Sequence, residues 1–303
     1  MSKLLRAGVR RYLRSFVFWL GLVATVVIAL RGGQHAYMYY LYDVDTMLEF
    51  ITFAVVICWM VGREYREGIF RNKIICGHTK GQIFLSELIL AEGAAIVMFL
   101  IYAGIFTAVN SYTFGVIPTS ALMWIFIDML LVNLFFAAFI TALACMIPNR
   151  FIALVVSVVL VVAVEFASYQ VIDLLRQPEY YAEYDYEKVE FRDNEGNVFV
   201  SFEPIPESVR LTKNRYYIGG PLRQVMIAVE HASPYCHIYE YSSMSFKWFG
   251  YGYYGEEQWL EQVGGMPTED DIHNTALNSL YTLAMLAAMG TVGYFCFRKK
   301  DLK

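Results

Sequence analysis

Apolar residues gather into six long runs, at about Phe16–Leu30, Thr46–Gly62, Glu87–Val109, Ala121–Ile147, Phe151–Leu175 and Thr275–Phe297. A helix needs roughly 20 mainly apolar residues to cross about 30 Å of hydrocarbon. The pattern therefore predicts an all-α polytopic membrane protein with six transmembrane helices. The first run is short by itself. Before it, Leu4, Leu5, Val9 and Leu13 alternate with Lys3, Arg6, Arg10, Arg11 and Arg14. That alternation predicts a basic amphipathic interfacial helix on the inner membrane face. A cleaved signal peptide has a similar basic start, but Ala29-Leu30-Arg31 is a poor small-residue cleavage site.

The polar segments between the runs set the orientation. With the N-terminus inside, the inner segments hold Lys3, Arg6, Arg10, Arg11, Arg14, Arg63, Arg66, Arg71, Lys73, Lys80, Arg150, Arg298, Lys299, Lys300 and Lys303. The short outer loops hold only Arg31. Short inner loops carry the excess of Lys and Arg, so both termini are expected in the cytoplasm. The chain then divides into three parts. Residues 1–175 hold the amphipathic helix and five spans, 176–273 form a mixed α/β extracellular insertion, and 274–303 hold the sixth span and a basic tail.

Within the insertion, Val189 and Phe191 alternate with polar residues before Asp193-Asn194-Glu195-Gly196, and Val198, Val200 and Phe202 alternate after it. This is a β-hairpin pattern with a glycine-containing turn. The stretch Trp248-Phe249-Gly250-Tyr251-Gly252-Tyr253-Tyr254-Gly255 either binds a ligand or rests at headgroup level as interfacial aromatics do. Thr268 and Asp271 resemble a capping box for the last helix.

Composition agrees with a membrane protein: 57% hydrophobic and 17% charged residues, with a mean hydropathy of +0.43. The formal net charge of −4 gives no reason to expect a nucleic-acid partner. Cys236 stands alone in the insertion, which excludes a disulfide within that segment and leaves an intermolecular bridge open. His231, Cys236 and His237 lie close together, but their spacing fits no common metal-ligand pattern, and no metal is expected. GxxxxGK[ST], GxSxG and HExxH are all absent from the sequence. The chain is therefore not expected to hydrolyse ATP alone or to be an enzyme.

Glu49, Glu92, Asp128 and Glu165 interrupt the apolar runs. An ionisable group in hydrocarbon normally faces a cavity or a partner. Glu165, flanked by Leu160–Val164 and Phe166, is the deepest. It is a candidate for a pathway or an interface, with Asp128 second, and a hydrogen-bonded structural carboxyl is the plainer alternative for both.

The segment Arg63–Leu88 between the second and third runs is too long and too patterned for a simple turn. Ile69, Phe70, Lys73, Ile74 and Ile75 recur at helical spacing and predict a short amphipathic helix over about 68–78. Gly77 would end it. Thr79 and Gln82 form a T-x-x-Q capping box that opens the next helix. A short helix held across the inner face can pass a push from a soluble partner into the membrane.

Here the sequence resembles the permease subunits of ABC-2 type transporters. In that family a span ends in an acidic-basic cluster, E-x-x-x-G-T, followed by a basic coupling helix and a turn of the form P-[IV]-S-[RK]. Glu64-Tyr65-Arg66-Glu67-Gly68-Ile69 matches the first part with Ile69 in place of Thr. Arg71-Asn72-Lys73-Ile74 matches the coupling helix, and Gly77-His78-Thr79-Lys80 replaces the turn without its proline. Phe297-Arg298-Lys299-Lys300-Asp301-Leu302-Lys303 resembles the family's F-x-[KR]-[KR]-D-[IL] ending. The insertion before the last span is not general to the family.

The resemblance implies a second permease, identical or different, and two cytoplasmic ATP-binding subunits that hold ATP and Mg²⁺. It implies export of a substrate of the peptide or amphipathic class through a bacterial cytoplasmic membrane. Glu64, Arg66 and Glu67 would lie where the ATPase meets the membrane, and Ile69, Phe70, Arg71, Lys73 and Ile74 would dock in its groove. This chain would bind no cofactor itself. Two other readings stand beside this one: a sensor or immunity protein whose extracellular part binds a ligand without transport, and an intramembrane enzyme using Glu165 or Asp128.

Overall fold

The computed structural model describes residues 1–34, 41–109, 119–183, 185–192, 198–205, 208–239 and 269–300. Among the described residues, seven helices precede the first strand: α1 (Ser2–Leu13), α2 (Phe16–Gln34), α3 (Leu41–Arg66), α4 (Ile69–Ile75), α5 (Lys80–Val109), α6 (Thr119–Met146) and α7 (Arg150–Arg176). Strands β1 (Tyr180–Glu183), β2 (Tyr186–Arg192), β3 (Val198–Pro204) and β4 (Arg210–Lys213) follow, then α8 (Gly220–Ala232) and α9 (Glu269–Lys299).

Among the described residues, five helices are long and apolar enough to cross a bilayer, over Thr46–Arg66, Lys80–Val109, Leu122–Met146, Arg150–Arg176 and Ala276–Lys299. The first expected span, at Phe16–Leu30, is a different object. Ser2–Leu13 and Phe16–Arg31 meet that test only as a pair, with a bend of 65° between them. The chain is thus a polytopic helical membrane protein whose described residues supply five spans, or six when the bent pair is counted.

The chain separates into two compact units, Met1–Tyr169 with His231–Lys303, and Gln170–Glu230. The first unit contains the helical core. Phe50 stacks on Phe136 at 4.0 Å between ring centroids, and Phe53, Ile57, Ile83, Phe84, Met98, Val132 and Phe297 belong to the same buried apolar cluster, which runs along the bundle. Ala91, Ala95, Ala137, Ala138, Ala142 and Ala144 are buried among these large side chains. Small residues let helix backbones approach where lipid offers no hydrophobic drive for association. Polar side chains on the helices bond back to their own backbone: Thr25 to Gly21, Thr52 to Leu48, Asn133 to Met129 and Thr141 to Ala137. Helix α6 is the most enclosed, with 67% of its most apolar stretch buried, against 22% for α7 and 17% for α9. The last two therefore carry most of the surface left for lipid or another chain.

Expected boundaries move at the insertion. The sequence pattern assigns 176–273 to one outer segment, whereas the separate unit ends at Glu230. Residues 234–239 are helical and belong to the core unit. There Tyr235, Cys236, His237 and Ile238 are all buried. Ser233 Oγ lies 2.9 Å from Ser168 Oγ, and Tyr239 meets Tyr169 edge-on at 6.1 Å. Cys236 is a free, buried thiol whose Sγ faces the Ser168 carbonyl at 3.9 Å, which does not fit an intermolecular bridge. The apolar faces of Tyr235 and Ile238 explain this burial, and their spacing is too short to register as a span.

The second unit contains the expected hairpin. Strands β2 and β3 pair antiparallel with Phe191 opposite Phe199 and Val189 opposite Ser201. A second antiparallel pair, β1 with β4, sets Tyr180 against Lys213, and the sequence pattern gives no sign of it. Asn214 closes that pair, donating to the Pro178 carbonyl at 2.9 Å and accepting from the Tyr216 N–H at 2.9 Å. The turn Asp193–Gly196, the Trp248–Gly255 stretch, Thr268 of the capping box and the final Asp301-Leu302-Lys303 lie outside the described residues.

Packing at α9 makes one prediction. A Cβ at Gly293 would lie 2.7 Å from Phe84 Cζ and 3.0 Å from Ala142 Cβ, whereas a Cβ at Gly104 meets nothing within 4 Å. Gly293→Val is expected to lower stability by about 1–3 kcal/mol through overpacking. Gly104→Ala is expected to leave it unchanged or slightly raised, by up to about 1 kcal/mol. Thermal unfolding of the detergent-solubilised protein measures both. Equal effects would mean that α9 does not seat here.

Candidate functional site

The segment linking α3 to α5 has a local structure its sequence dictates. Gly68 adopts φ +66° and Gly77 φ +86°, left-handed conformations that cost other residues about 1–2 kcal/mol. Between them lies the seven-residue helix α4. Its end is closed by N–H groups of Gly77 and His78 donating to the carbonyls of Ile74 and Lys73 at 2.9 and 3.1 Å. The expected capping box is present in both directions: Thr79 N–H donates to Gln82 Oε1 and Gln82 N–H to Thr79 Oγ1, each at 3.2 Å. The chain thus makes a short helix with a glycine joint at each end.

This helix is tied inward by charge. Lys73 Nζ lies 2.6 Å from Glu64 Oε2 and 2.8 Å from Glu87 Oε1. Arg11 of α1 pairs with Glu64 and lies 3.2 Å from Glu87 Oε2. The Glu64 and Glu87 side chains have 0% exposure. Two cations and two carboxylates therefore cancel at the junction of α1, α3, α4 and α5. Burial pulls the Lys73 amine below the usual lysine range, and the Glu87 carboxylate opposes that pull. With each carboxylate bridged by two cations, the cluster has no base or nucleophile to offer a substrate. What it can do is hold four helices in one register.

An aromatic layer lies beside the charges. Phe70 is 2% exposed and meets Tyr65 at 4.6 Å and Phe297 at 5.9 Å, both edge-on. Lys300 reaches across the same end of the bundle. Its Nζ donates to the Tyr65 hydroxyl at 2.7 Å and to the Cys145 and Met146 carbonyls at 3.0 and 2.8 Å. A cation at the end of α6 answers the helix dipole and its unpaired carbonyls. Burial lowers the Lys300 pKa. Arg150 stacks over Trp59 at 3.9 Å, where Asn149 caps α7 by accepting from the Phe151 N–H at 2.9 Å.

The sequence-predicted residues therefore separate into two groups. Of the residues expected to dock, Phe70 is in the core and Lys73 is paired with the two carboxylates. Glu64 is likewise internal. Ile74 packs against the core and Ile69 is half-buried. The outward face consists of Arg66, Glu67, Arg71, Asn72 and Ile75, with Ile75 73% exposed. Glu67 is held by Arg63 at 2.7 Å in an i, i+4 pair. Sequence reasoning missed Arg11, Glu87 and Lys300 as partners. The available signal was a carboxylate at the inner end of an apolar run, which demands a cation nearby.

Asp128 and Glu165 lie elsewhere. Asp128 Oδ2 is 3.3 Å from His237 Nδ1, with both side chains buried. The same nitrogen lies 3.0 Å from Thr282 Oγ1, and Nε2 lies 2.9 Å from the His231 carbonyl oxygen. Both nitrogens of His237 are engaged, so the ring joins residues 231–239 to α6 and α9. Glu165 is half-buried on α7. Among the described residues no group of three His, Cys, Asp or Glu side chains has metal-site geometry.

The cluster predicts strong coupling. Glu87→Gln leaves excess buried positive charge and is expected to cost about 3–5 kcal/mol. Lys73→Met added to it removes the excess, so the double variant should be less destabilised than the sum by about 1–3 kcal/mol. Thermal unfolding of the four proteins of this cycle gives the coupling energy, and simple additivity would mean the two side chains do not interact.

No family model, curated protein or solved structure matches this chain, so its functional reading rests on the charged junction and the exposed face of α4.

Proposed function

We propose that the chain is the permease subunit of an ABC-2 type transporter, working in a bacterial cytoplasmic membrane with both termini in the cytoplasm. It pairs with a second permease and with two ATP-binding subunits, which supply the ATP and Mg²⁺ chemistry. The observation that carries the reading is the geometry of α4. This short helix sits on glycine joints, is bound inward by Lys73 and Phe70, and turns Arg71, Asn72 and Ile75 outward. A soluble subunit pressing on that face would move α4, and the four-charge cluster would pass the load to α1, α3 and α5. The sequence motifs at Glu64–Ile69 and at the C-terminus point the same way. In this reading the substrate is a peptide or another amphipathic molecule moved outward, and Glu165 on the exposed side of the bundle lines the pathway or the permease interface.

The test is co-purification with the ATP-binding subunit encoded beside it. Arg71→Glu with Ile75→Asp is expected to abolish association while leaving the melting temperature within a few degrees of wild type, because surface changes typically cost no more than about 0.5 kcal/mol. Association that survives both changes would remove α4 from the interface. Failure of any ATP-binding subunit to associate with the unaltered chain would favour the sensor reading. Separately, Glu165→Gln should slow substrate movement at unchanged assembly, and unchanged transport would return Glu165 to a structural role.

A further inference from the structure

The elbow between α1 and α2 forms, with α5, an open groove of about 410 Å³. Its walls are Leu5, Val9, Tyr12 and Leu13 of α1, Phe18 of α2, and Ile89, Leu90, Gly93, Ala94 and Val97 of α5. A closely packed bundle leaves few spaces of this size, and 300–1,000 Å³ is the usual volume of a ligand site. Gly93 contributes to the opening, because a Cβ built there meets nothing within 4 Å. Val9, Leu13, Ile89 and Val97 at its rim are exposed.

The chemistry beside the groove is one-sided. Leu5, Val9 and Leu13 follow one another at i, i+4 on α1 and so lie on one face. Lys3, Arg6, Arg10 and Arg14 follow at i, i+3 and i+4 on the adjacent face, and all are exposed. None has an ion-pair partner among the described residues, and α1 contains no acidic residue. Arg11, on the opposite side, is the cation of this helix already committed to Glu64 and Glu87. An apolar slot beside a row of unspent cations complements a molecule with a hydrocarbon chain and an anionic head. A bilayer supplies that at the depth of an interfacial helix.

We propose that the α1–α2 elbow is a binding site for an anionic phospholipid, with one acyl chain in the groove and the phosphate on the Arg6–Arg10 face. The site is independent of the transport reading. Occupied, it would fasten α1 to α5 from the lipid side while Arg11 fastens it from the core side.

The full-length protein in mixed micelles provides the test, with phosphatidylglycerol and phosphatidylcholine of identical chains as probes and bound lipid read by native mass spectrometry. Wild type is expected to retain phosphatidylglycerol in preference. Gly93→Leu fills the slot. At about fourfold per displaced methylene, it should weaken retention of both lipids at least about tenfold. Arg6→Gln with Arg10→Gln should abolish the preference for phosphatidylglycerol. The soluble headgroup glycerophosphoglycerol should not compete, and competition by it would mean a phosphate site without a chain site, overturning the proposal. Equal retention by Gly93→Leu would also overturn it, as would equal binding of the two lipids by wild type. Should Gly93→Leu fail to fold, a phosphatidylglycerol carrying a photoreactive acyl chain decides on the wild type. Crosslinks within residues 5–13 and 89–97 support the site, and crosslinks confined elsewhere sink it.

Discussion

Four charges at one end of the bundle set the terms for everything near them. Glu64 and Glu87 are fully enclosed, and a carboxylate there is sustainable only with cations in contact. Arg11 and Lys73 meet that need from opposite directions, one from the first helix of the chain and one from a seven-residue helix between two spans. Each helix also buries a few apolar side chains, Leu4 and Tyr12 on α1 and Phe70 on α4. The requirement that the carboxylates be neutralised adds to that packing and fixes which face of each helix turns inward. The requirement is mutual, since removing either cation leaves a buried negative charge and removing either carboxylate leaves a positive one.

The aromatic layer complements this electrostatic constraint. Phe70 seals the cluster from the side of α9, through Phe297, while Lys300 spans from the end of α9 to the last carbonyls of α6. The cluster is thereby connected to the best-enclosed helix of the bundle. At the far side of the same unit, His237 performs a related function at lower charge density, linking residues 231–239 to Asp128 and Thr282. Both arrangements use an ionisable group to locate a short element that hydrophobic packing alone would leave poorly specified.

Much of this architecture was legible in the sequence, for definable reasons. Long apolar runs are a period-independent signal, and they locate five of the expected spans, while the first, Phe16–Leu30, passes only together with the bent helix before it. Gly77, Thr79 and Gln82 have local chemistry that acts within one turn, and their expected cap forms as the spacing implies. What was not legible depended on contacts distant in sequence. The pairing of Arg11 with Glu87 spans 76 residues, and nothing in the local pattern at either position names the other. The inward turn of Phe70 was equally hidden: an amphipathic helix of two turns has an apolar face, but the sequence does not say whether its own bundle or a partner covers it. The burial of residues 234–239 escaped for a similar reason, since six residues are too few for a periodic signal and their partners lie on α6, α7 and α9.

The inward commitment of α4 bears on how a proposed push could be transmitted. A helix attached only by its two glycine joints would yield to a load and convey little. Attached through Lys73 to two carboxylates on different helices, it cannot shift without either carrying α3 and α5 along or separating charges in a buried site. The second course is costly, because the low local dielectric strengthens each contact and water is not there to replace it. The cheaper response is for α1, α3 and α5 to move with α4 as one body. Glycines at positions 68 and 77 then serve to isolate α4 from the spans in backbone torsion, while the side chains join it to them in position. In the proposed transporter this division gives the outward face of α4 freedom to follow a partner's surface, and it makes the buried charges the element through which that motion reaches the membrane.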